Sequence, residues 1–159
     1  MLDIANGTSN RMMIHMEYFE GHELREDITE SKLTESEKRQ CITQVIDIVK
    51  HLDAEGVSHC DLKTENILIQ RKKKGAIKLK LIDYGFARSR KEGFPGYADL
   101  QDKETSDTYG TPGCMSPEIF RPKVEGKSAP VGITMGNVRT NEAYGLAVVL
   151  LEIANKVTG

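Results

Sequence analysis

Residues 59–69 read HCDLKTENILI, and this stretch decides the fold that we expect for the chain. Two acids, a lysine, an asparagine and a histidine fall within eight positions, and the apolar residues of a strand follow directly. Such a cluster is either a solvated loop or a set of side chains (Asp61, Lys63 and Asn66) that meet at one substrate. The sequence on either side of the cluster bears on this choice.

A β-hairpin is predicted directly after the cluster. The strand NILIQ (66–70) is followed by RKKKG (71–75) and by the strand AIKLKLI (76–82), in which apolar residues alternate with lysines. This period of two predicts a strand with one wet face. Asn66 comes before the first strand and Asp83 after the second, so an antiparallel pair that turns between Lys74 and Gly75 brings the two together at its open end.

The residues at this open end favour phosphoryl transfer. Side-chain oxygens of Asn66 and Asp83 suit Mg²⁺, which takes few protein ligands and completes its shell with water and phosphate. Asp61 lies near enough to accept a proton, and Lys63 points to the same side if the loop is extended. An acid, a cation and a pair of metal ligands together predict the transfer of a phosphoryl group.

The rest of the chain predicts an α+β fold. Residues 33–56 form a helix with a capping box at Thr34 and Glu37 and with Gly56 at its end. Residues 12–19 predict a buried strand, followed by a turn and a short helical turn. Residues 83–116 predict a long loop, and residues 121–140 an irregular insertion. The helix from about Asn141 to Asn155 is apolar nearly all round, so we expect it to be buried on most sides.

Composition excludes several classes of protein. The chain has 159 residues, enough for one domain, and a net charge of −2, which favours neither a nucleic-acid partner nor an acidic membrane. Neither a membrane span nor a signal peptide is visible, so a cytoplasmic location is the default expectation. The three cysteines are widely spaced and predict neither a disulfide framework nor a zinc site.

Five blocks of sequence resemble motifs of the eukaryotic-type serine/threonine protein kinase family. HCDLKTEN resembles the catalytic loop H-R-D-L-K-x-x-N, and Asp83-Tyr84-Gly85 resembles the metal-binding D-F-G turn. YGTPGCMSPE (109–118) resembles the end of the activation segment, EAYGLAVVLLE (142–152) a central helix, and HMEYFEGHELRE (15–26) the hinge that holds adenine. The blocks occur in the family's order, which makes the resemblance specific.

The resemblance implies a kinase-like large lobe, mainly helical, with a β-hairpin at its catalytic loop. The hinge region would span 12–26, the catalytic loop 59–69, the activation segment 83–118 and the central helix 141–155. The activity implied is transfer of the γ-phosphate of ATP, with Mg²⁺, to Ser and Thr hydroxyls of protein substrates.

Roles follow from the resemblance position by position. Asp61 would orient the substrate hydroxyl and accept its proton, Lys63 would steady the phosphoryl charge, and Thr111 would bridge these two. Asn66 and Asp83 would hold magnesium. The residues implied for the nucleotide are Met16 at the rear of the pocket, the backbones of Glu17 and Phe19 for adenine, Glu23 for the ribose, and Leu68 beneath the adenine ring.

The chain departs from the family pattern at two positions that matter below. Cys60 stands where the family has an arginine that receives a phosphate of the activation loop. We therefore expect that phosphorylation of Ser89, Thr105, Ser106 or Thr108 is not the main switch. Glu142 stands where the family has an aspartate that clamps the catalytic loop, and its extra methylene predicts a looser clamp.

Parts of the family pattern are absent from these 159 residues. We find neither a glycine-rich loop before residue 12 nor its partner lysine, and the terminal helices would follow residue 159. We therefore expect a fragment whose small lobe is supplied by the rest of the gene. The alternatives are a pseudokinase-like fragment that binds a partner without catalysis, a decayed copy without a stable fold, and a small-molecule kinase, against which GTPGCMSPE counts.

Overall fold

The computed structural model of the chain describes residues 4–6, 12–14, 16–94, 97, 110–124 and 133–155. The helices are α1 (Leu24–Thr29), α2 (Glu35–Ala54), α3 (Pro117–Val124) and α4 (Val138–Ala154). The strands are β1 (Ile4–Asn6), β2 (Met12–Ile14), β3 (His22–Glu23), β4 (Val57–Ser58), β5 (Ile67–Arg71), β6 (Ile77–Leu81) and β7 (Arg88–Ser89). These elements confirm the α+β class.

Helix α2 follows the prediction closely. The hydroxyl of Thr34 accepts from the Glu37 amide at 3.2 Å, and the Glu37 carboxylate accepts from the Thr34 amide at 2.9 Å. This capping box satisfies two of the amides that a helix start leaves without partners. The helix ends two residues before Gly56, whose φ of +69° is a conformation that glycine adopts without strain.

The predicted hairpin is formed by β5 and β6, and β3 pairs with the other edge of β5. All pairings in this sheet are antiparallel, with Ile67 opposite Leu81 and Arg71 opposite Ile77. The turn is centred on Lys74, half a residue earlier than expected. Asn66 is therefore opposite Ile82, whose amide donates to the Asn66 carbonyl at 2.9 Å, and Asp83 lies one residue beyond.

The two faces of the sheet differ in burial, as the alternation predicts. The core face presents Ile67, Ile69, Leu79 and Leu81 to a cluster that includes residues of α1, α2 and α4. The other face carries a row across the three strands made of Glu23, Leu68 and Lys80, which are exposed or half-buried. This second face is open to a ligand, because the core lies on the opposite side.

The free edge of β6 is covered by two glutamines of α2. Gln40 donates to the Gly75 carbonyl and accepts from the Ile77 amide, both at 3.1 Å. Gln44 donates to the Ile77 carbonyl at 3.1 Å and accepts from the Leu79 amide at 2.9 Å. The two side chains, four residues apart on the helix, thus supply the partners that a further strand would otherwise supply.

Two of the predicted segments need correction in the structure. The buried strand predicted over 12–19 is wrong beyond Ile14, because residues 16–21 are irregular and Met16 and Tyr18 are 77% and 85% exposed. The chain here is turning toward β3, and Gly21 lies so close to the Ile69 carbonyl that a Cβ atom would approach it to 2.7 Å. The insertion predicted over 121–140 is helical where α3 and α4 enter it.

Helix α4 begins three residues earlier than predicted and is not buried on all sides. Its exposed apolar positions are Ala143, Ala147, Leu151 and Ala154, of which Leu151 is 60% exposed. Three of these four side chains are methyl groups, so their exposure leaves little apolar surface in water. Within the described residues, none of the helices combines the length and apolarity needed to cross a membrane.

Candidate active site

Asp61 is the centre of the candidate site and lies in the loop between β4 and β5. Its side chain is 5% exposed. One carboxylate oxygen accepts from the Thr111 amide at 2.8 Å, and the other lies 3.1 Å from the Lys63 ammonium and 3.2 Å from the Asn66 amide nitrogen. The structure thus brings together four residues that the sequence analysis singled out: Asp61, Lys63, Asn66 and Thr111.

Lys63 links this loop to a distant part of the chain. Its ammonium donates to the Thr111 hydroxyl at 2.7 Å, while the Thr111 amide binds Asp61. Burial alone would raise the pKa of Asp61, but the hydrogen bonds from Thr111 and Lys63 outweigh burial, so its pKa is lowered. The Asp61 carboxylate is therefore ionised at neutral pH and can accept a proton.

Asp83 lies at the open end of the hairpin, one residue beyond Ile82, whose amide donates to the Asn66 carbonyl. Its backbone is left-handed, with φ +59°, and its exposed carboxylate accepts from the Gly85 amide at 3.3 Å. Since the Asn66 side-chain nitrogen donates to the Asp61 carbonyl at 2.8 Å, the amide oxygen is the atom that a cation would use. One carboxylate and one amide oxygen fit Mg²⁺, which needs few ligands from the protein.

His59 joins the loop that contains Asp61 to the turn that contains Asp83. The ring is fully buried, and its Nε2 donates to the Ile82 carbonyl at 2.9 Å, which places the proton on that nitrogen. The Tyr84 ring meets the imidazole edge-on with 5.0 Å between centroids. The residue before Asp83 and the residue after it therefore both contact His59.

The comparisons with known proteins agree with this geometry. The sequence profile of the protein kinase domain matches residues 2–154. The chain belongs to the protein kinase family.

Similar kinases include two subunits of calcium/calmodulin-dependent protein kinase type II. The alpha chain of Drosophila melanogaster is 36% identical over 115 residues, which cover 70% of this chain and 19% of that protein. The delta subunit of Oryctolagus cuniculus is 37% identical over 111 residues, with 67% and 19% covered. The chain thus spans about a fifth of the length of these kinases.

Helix α4 supports the loop that contains Asp61 at several points. The Glu142 carboxylate, 7% exposed, accepts from the His59 amide at 3.2 Å and from the Cys60 amide at 3.0 Å. We expected a looser clamp from this glutamate, but both hydrogen bonds are formed. A turn further on, Gly145 lies against Leu62, and near the end of the helix Glu152 accepts from the Thr64 hydroxyl at 2.7 Å.

Sequence reasoning missed some of these supporting residues. Gly145 and Glu152 belong to them, as does Asn141, whose side chain accepts from the Ser116 amide at 2.9 Å. A glycine inside a helical pattern is the signal that could have identified Gly145, because such glycines often mark a close approach of backbones. Asn141 and Glu152 carry no comparable local signal.

Two of the residues proposed for the nucleotide, Glu23 and Leu68, lie on the open face of the sheet. Leu68 is paired with Glu23 across the ladder, and Met16, Glu17 and Phe19 lie in the segment that leads to β3. The Glu17 carbonyl accepts from the Lys80 ammonium at 3.3 Å. The Phe19 ring lies 5.7 Å from Lys80 and 5.9 Å from Lys78, within the range of a cation–π contact.

The three cysteines of the chain, all within the described residues, are free. Burial raises the pKa of both Cys41 and Cys60 to about 12 and also raises that of Cys114. Thiols that stay protonated at neutral pH are poor nucleophiles and poor metal ligands. The described residues also contain no group of three or more His, Cys, Asp and Glu side chains that could hold a metal.

Proposed function

We propose that the chain contains the phosphoryl-transfer centre of a serine/threonine protein kinase, which transfers the γ-phosphate of ATP to hydroxyl groups of protein substrates. The convergence of Asp61, Lys63 and Thr111 carries this proposal. A lysine in this place together with a threonine in the later loop resembles kinases that act on serine and threonine. Membership of the protein kinase family supports the proposal further.

The chemistry follows from the charges around Asp61. As the substrate oxygen attacks the γ-phosphorus, the Asp61 carboxylate accepts the hydroxyl proton, an O–P bond forms, and the bond to the bridging oxygen of ADP breaks. The Lys63 ammonium, 3.1 Å from Asp61, offsets negative charge on the transferring group. General-base assistance of this kind contributes about 10²–10⁴-fold in rate.

Magnesium would be held by the Asn66 amide oxygen and the Asp83 carboxylate. When bound, it neutralises charge on the phosphates of the nucleotide. On the protein side, Asn66 also donates to Asp61, so one side chain would serve both the metal and the base. Asn66 is itself almost buried, at 6% exposure.

The nucleotide would lie on the open face of the sheet. Leu68 would support the adenine ring, Glu23 would reach the ribose, and Met16 would close the rear of the pocket. The backbones of Glu17 and Phe19 would bind the edge of adenine. Although Lys80 already donates to the Glu17 carbonyl, that oxygen has a second lone pair and can accept from adenine as well.

The proposal is tested on the intact protein, whose sequence is taken from a transcript that covers both ends of residues 1–159. With Mg-ATP and a library of Ser and Thr peptides, we expect transfer that Asp61→Asn lowers about 10²–10⁴-fold without weakening Mg-ATP binding. The matched control is Asp47→Asn, the same change at an exposed position of α2. Transfer that survives Asp61→Asn contradicts the proposal, and partner binding without any Mg-ATP binding favours a pseudokinase-like module.

A further inference from the structure

Arg90, which directly follows β7, is bound to a separate part of the chain, residues 53–58. Its side chain is 9% exposed. Its Nη1 donates to the Ser58 hydroxyl at 2.6 Å, and its Nη2 donates to the Asp53 carboxylate at 2.6 Å and to the Asp53 carbonyl at 2.8 Å. The Arg90 amide donates to the Gly56 carbonyl at 2.7 Å. Both its main chain and its guanidinium are therefore anchored.

Arg90 anchors the end of a segment that begins at Asp83. At its start, the carbonyl of the preceding residue, Ile82, accepts from the buried ring of His59. At its end, β7 pairs with β4, so that Ser89 is opposite Val57. Between these points Asp83 has a left-handed backbone, a conformation that the surrounding structure must hold in place.

The charged groups beside the Arg90 anchor are Asp53 and Arg139, whereas Cys60 carries no charge. The Cys60 thiol is buried, lies 3.7 Å from the Ser58 carbonyl, and is neutral. The Asp53 carboxylate is shared with Arg139 of α4, whose Nε donates to it at 3.1 Å. The anchor of the segment is thus tied to the same helix whose Glu142 holds the catalytic loop.

We propose that Arg90 is a positioning residue, which holds residues 83–89 against residues 53–58 and thereby orients the Asp83 carboxylate toward magnesium-bound nucleotide. This inference rests on the proposed function, since it requires Asp83 to be a magnesium ligand. Because the partners of the anchor are all groups of the chain itself, the segment is held without a phosphate group. The affinity for Mg-ATP is then independent of phosphorylation at Thr105, Ser106 and Thr108, which lie outside the described residues.

The test compares Arg90→Met with Lys91→Met in the intact protein. Lys91 is the next residue, pairs with Glu55 at 3.4 Å at the surface, and controls for loss of a nearby charge. Two quantities are measured: ATP affinity by calorimetry with magnesium and with EDTA, and hydrogen exchange of the amides of residues 84–90. For Arg90→Met we expect Mg-ATP affinity to fall about tenfold, magnesium-free affinity to stay unchanged, and the amides of Gly85 and Ala87 to exchange faster.

Each outcome decides the proposal. Unchanged exchange in Arg90→Met, or an equal loss of affinity with and without magnesium, overturns it, as does a loss of Mg-ATP affinity after phosphatase treatment of the wild type. If the wild type binds no Mg-ATP, the proposed function fails, and the anchor is judged by exchange alone. If Arg90→Met does not fold, Arg90→Lys replaces it. Lysine keeps the positive charge but lacks the planar guanidinium with its several N–H donors, so we expect smaller changes in Mg-ATP affinity and in hydrogen exchange in the same directions.

Discussion

At the scale of single residues, Glu142 shows how one side chain holds a loop. Its two carboxylate oxygens accept from two consecutive buried amides, those of His59 and Cys60. A buried amide that loses its partner costs about 1–3 kcal/mol, so we expect Glu142→Ala, which leaves two such amides, to lower the free energy of unfolding by about 2–6 kcal/mol. Glu142→Gln keeps one acceptor and should lose about half as much.

The measurement is urea unfolding of the intact protein, with phosphoryl transfer assayed in parallel. Glu55→Ala serves as the control, because Glu55 makes an exposed pair with Lys91 and such pairs contribute between 0 and about 1 kcal/mol. If Glu142→Ala and Glu55→Ala cost the same, the carboxylate is not what supports the loop.

At the scale of elements, the contact between α2 and β6 depends on amide side chains. Gln44 bonds both the amide of Leu79 and the carbonyl of Ile77 at the free edge of the strand. Gln44→Met keeps the length of the side chain but removes both hydrogen bonds, so we expect a loss of about 1–3 kcal/mol and faster hydrogen exchange at Leu79. Gln44→Glu keeps the acceptor and should protect Leu79 better than methionine does. Equal exchange in the two variants would contradict this role.

A second contact between elements depends on Gly145 of α4. A Cβ atom there would lie 3.2 Å from the Leu62 carbonyl and 3.3 Å from Leu62 Cβ, so Gly145→Ala must push the loop that contains Leu62 away. Crowding of this kind costs about 1–3 kcal/mol, against a gain of about 1 kcal/mol in helix propensity. We expect phosphoryl transfer to fall even where stability changes little. Ala147→Gly, at an exposed position of the same helix, measures the propensity contribution alone; a loss of activity in that variant as well would remove the argument from crowding.

At the scale of the whole molecule, the elements that depend on local sequence patterns were predicted well, whereas contacts between residues far apart in the chain were not. Two elements depend on patterns of only a few neighbouring residues: strand β6, with the alternation of Ile77, Leu79 and Leu81, and helix α2, with its capping box. Both elements formed where expected. The place of Thr111 beside Asp61 was expected only from the family resemblance, since fifty residues separate them. The contacts of Gln44 and Gly145 were not predicted, because they depend on which turn of a helix faces which part of the chain. The strand over 12–19 failed because an apolar run does not show where the chain turns away from the core.

The same whole-molecule network sets how stability depends on pH. The pKa of Glu37 is lowered, mainly by its hydrogen bond from the Thr34 amide and with help from Arg71, and that of Asp61 is lowered as described above. An acid whose pKa is lower in the folded state adds stability that is complete above its unfolded pKa, about 4, and is lost as pH falls through the folded value. We therefore expect the free energy of unfolding to be flat from pH 7 to about 5 and to fall below about 4. Glu37→Gln and Asp61→Asn should each reduce that fall relative to the wild type, measured by denaturant unfolding at several pH values. A fall of the same size in the wild type and in both variants would mean that other carboxylates carry the dependence.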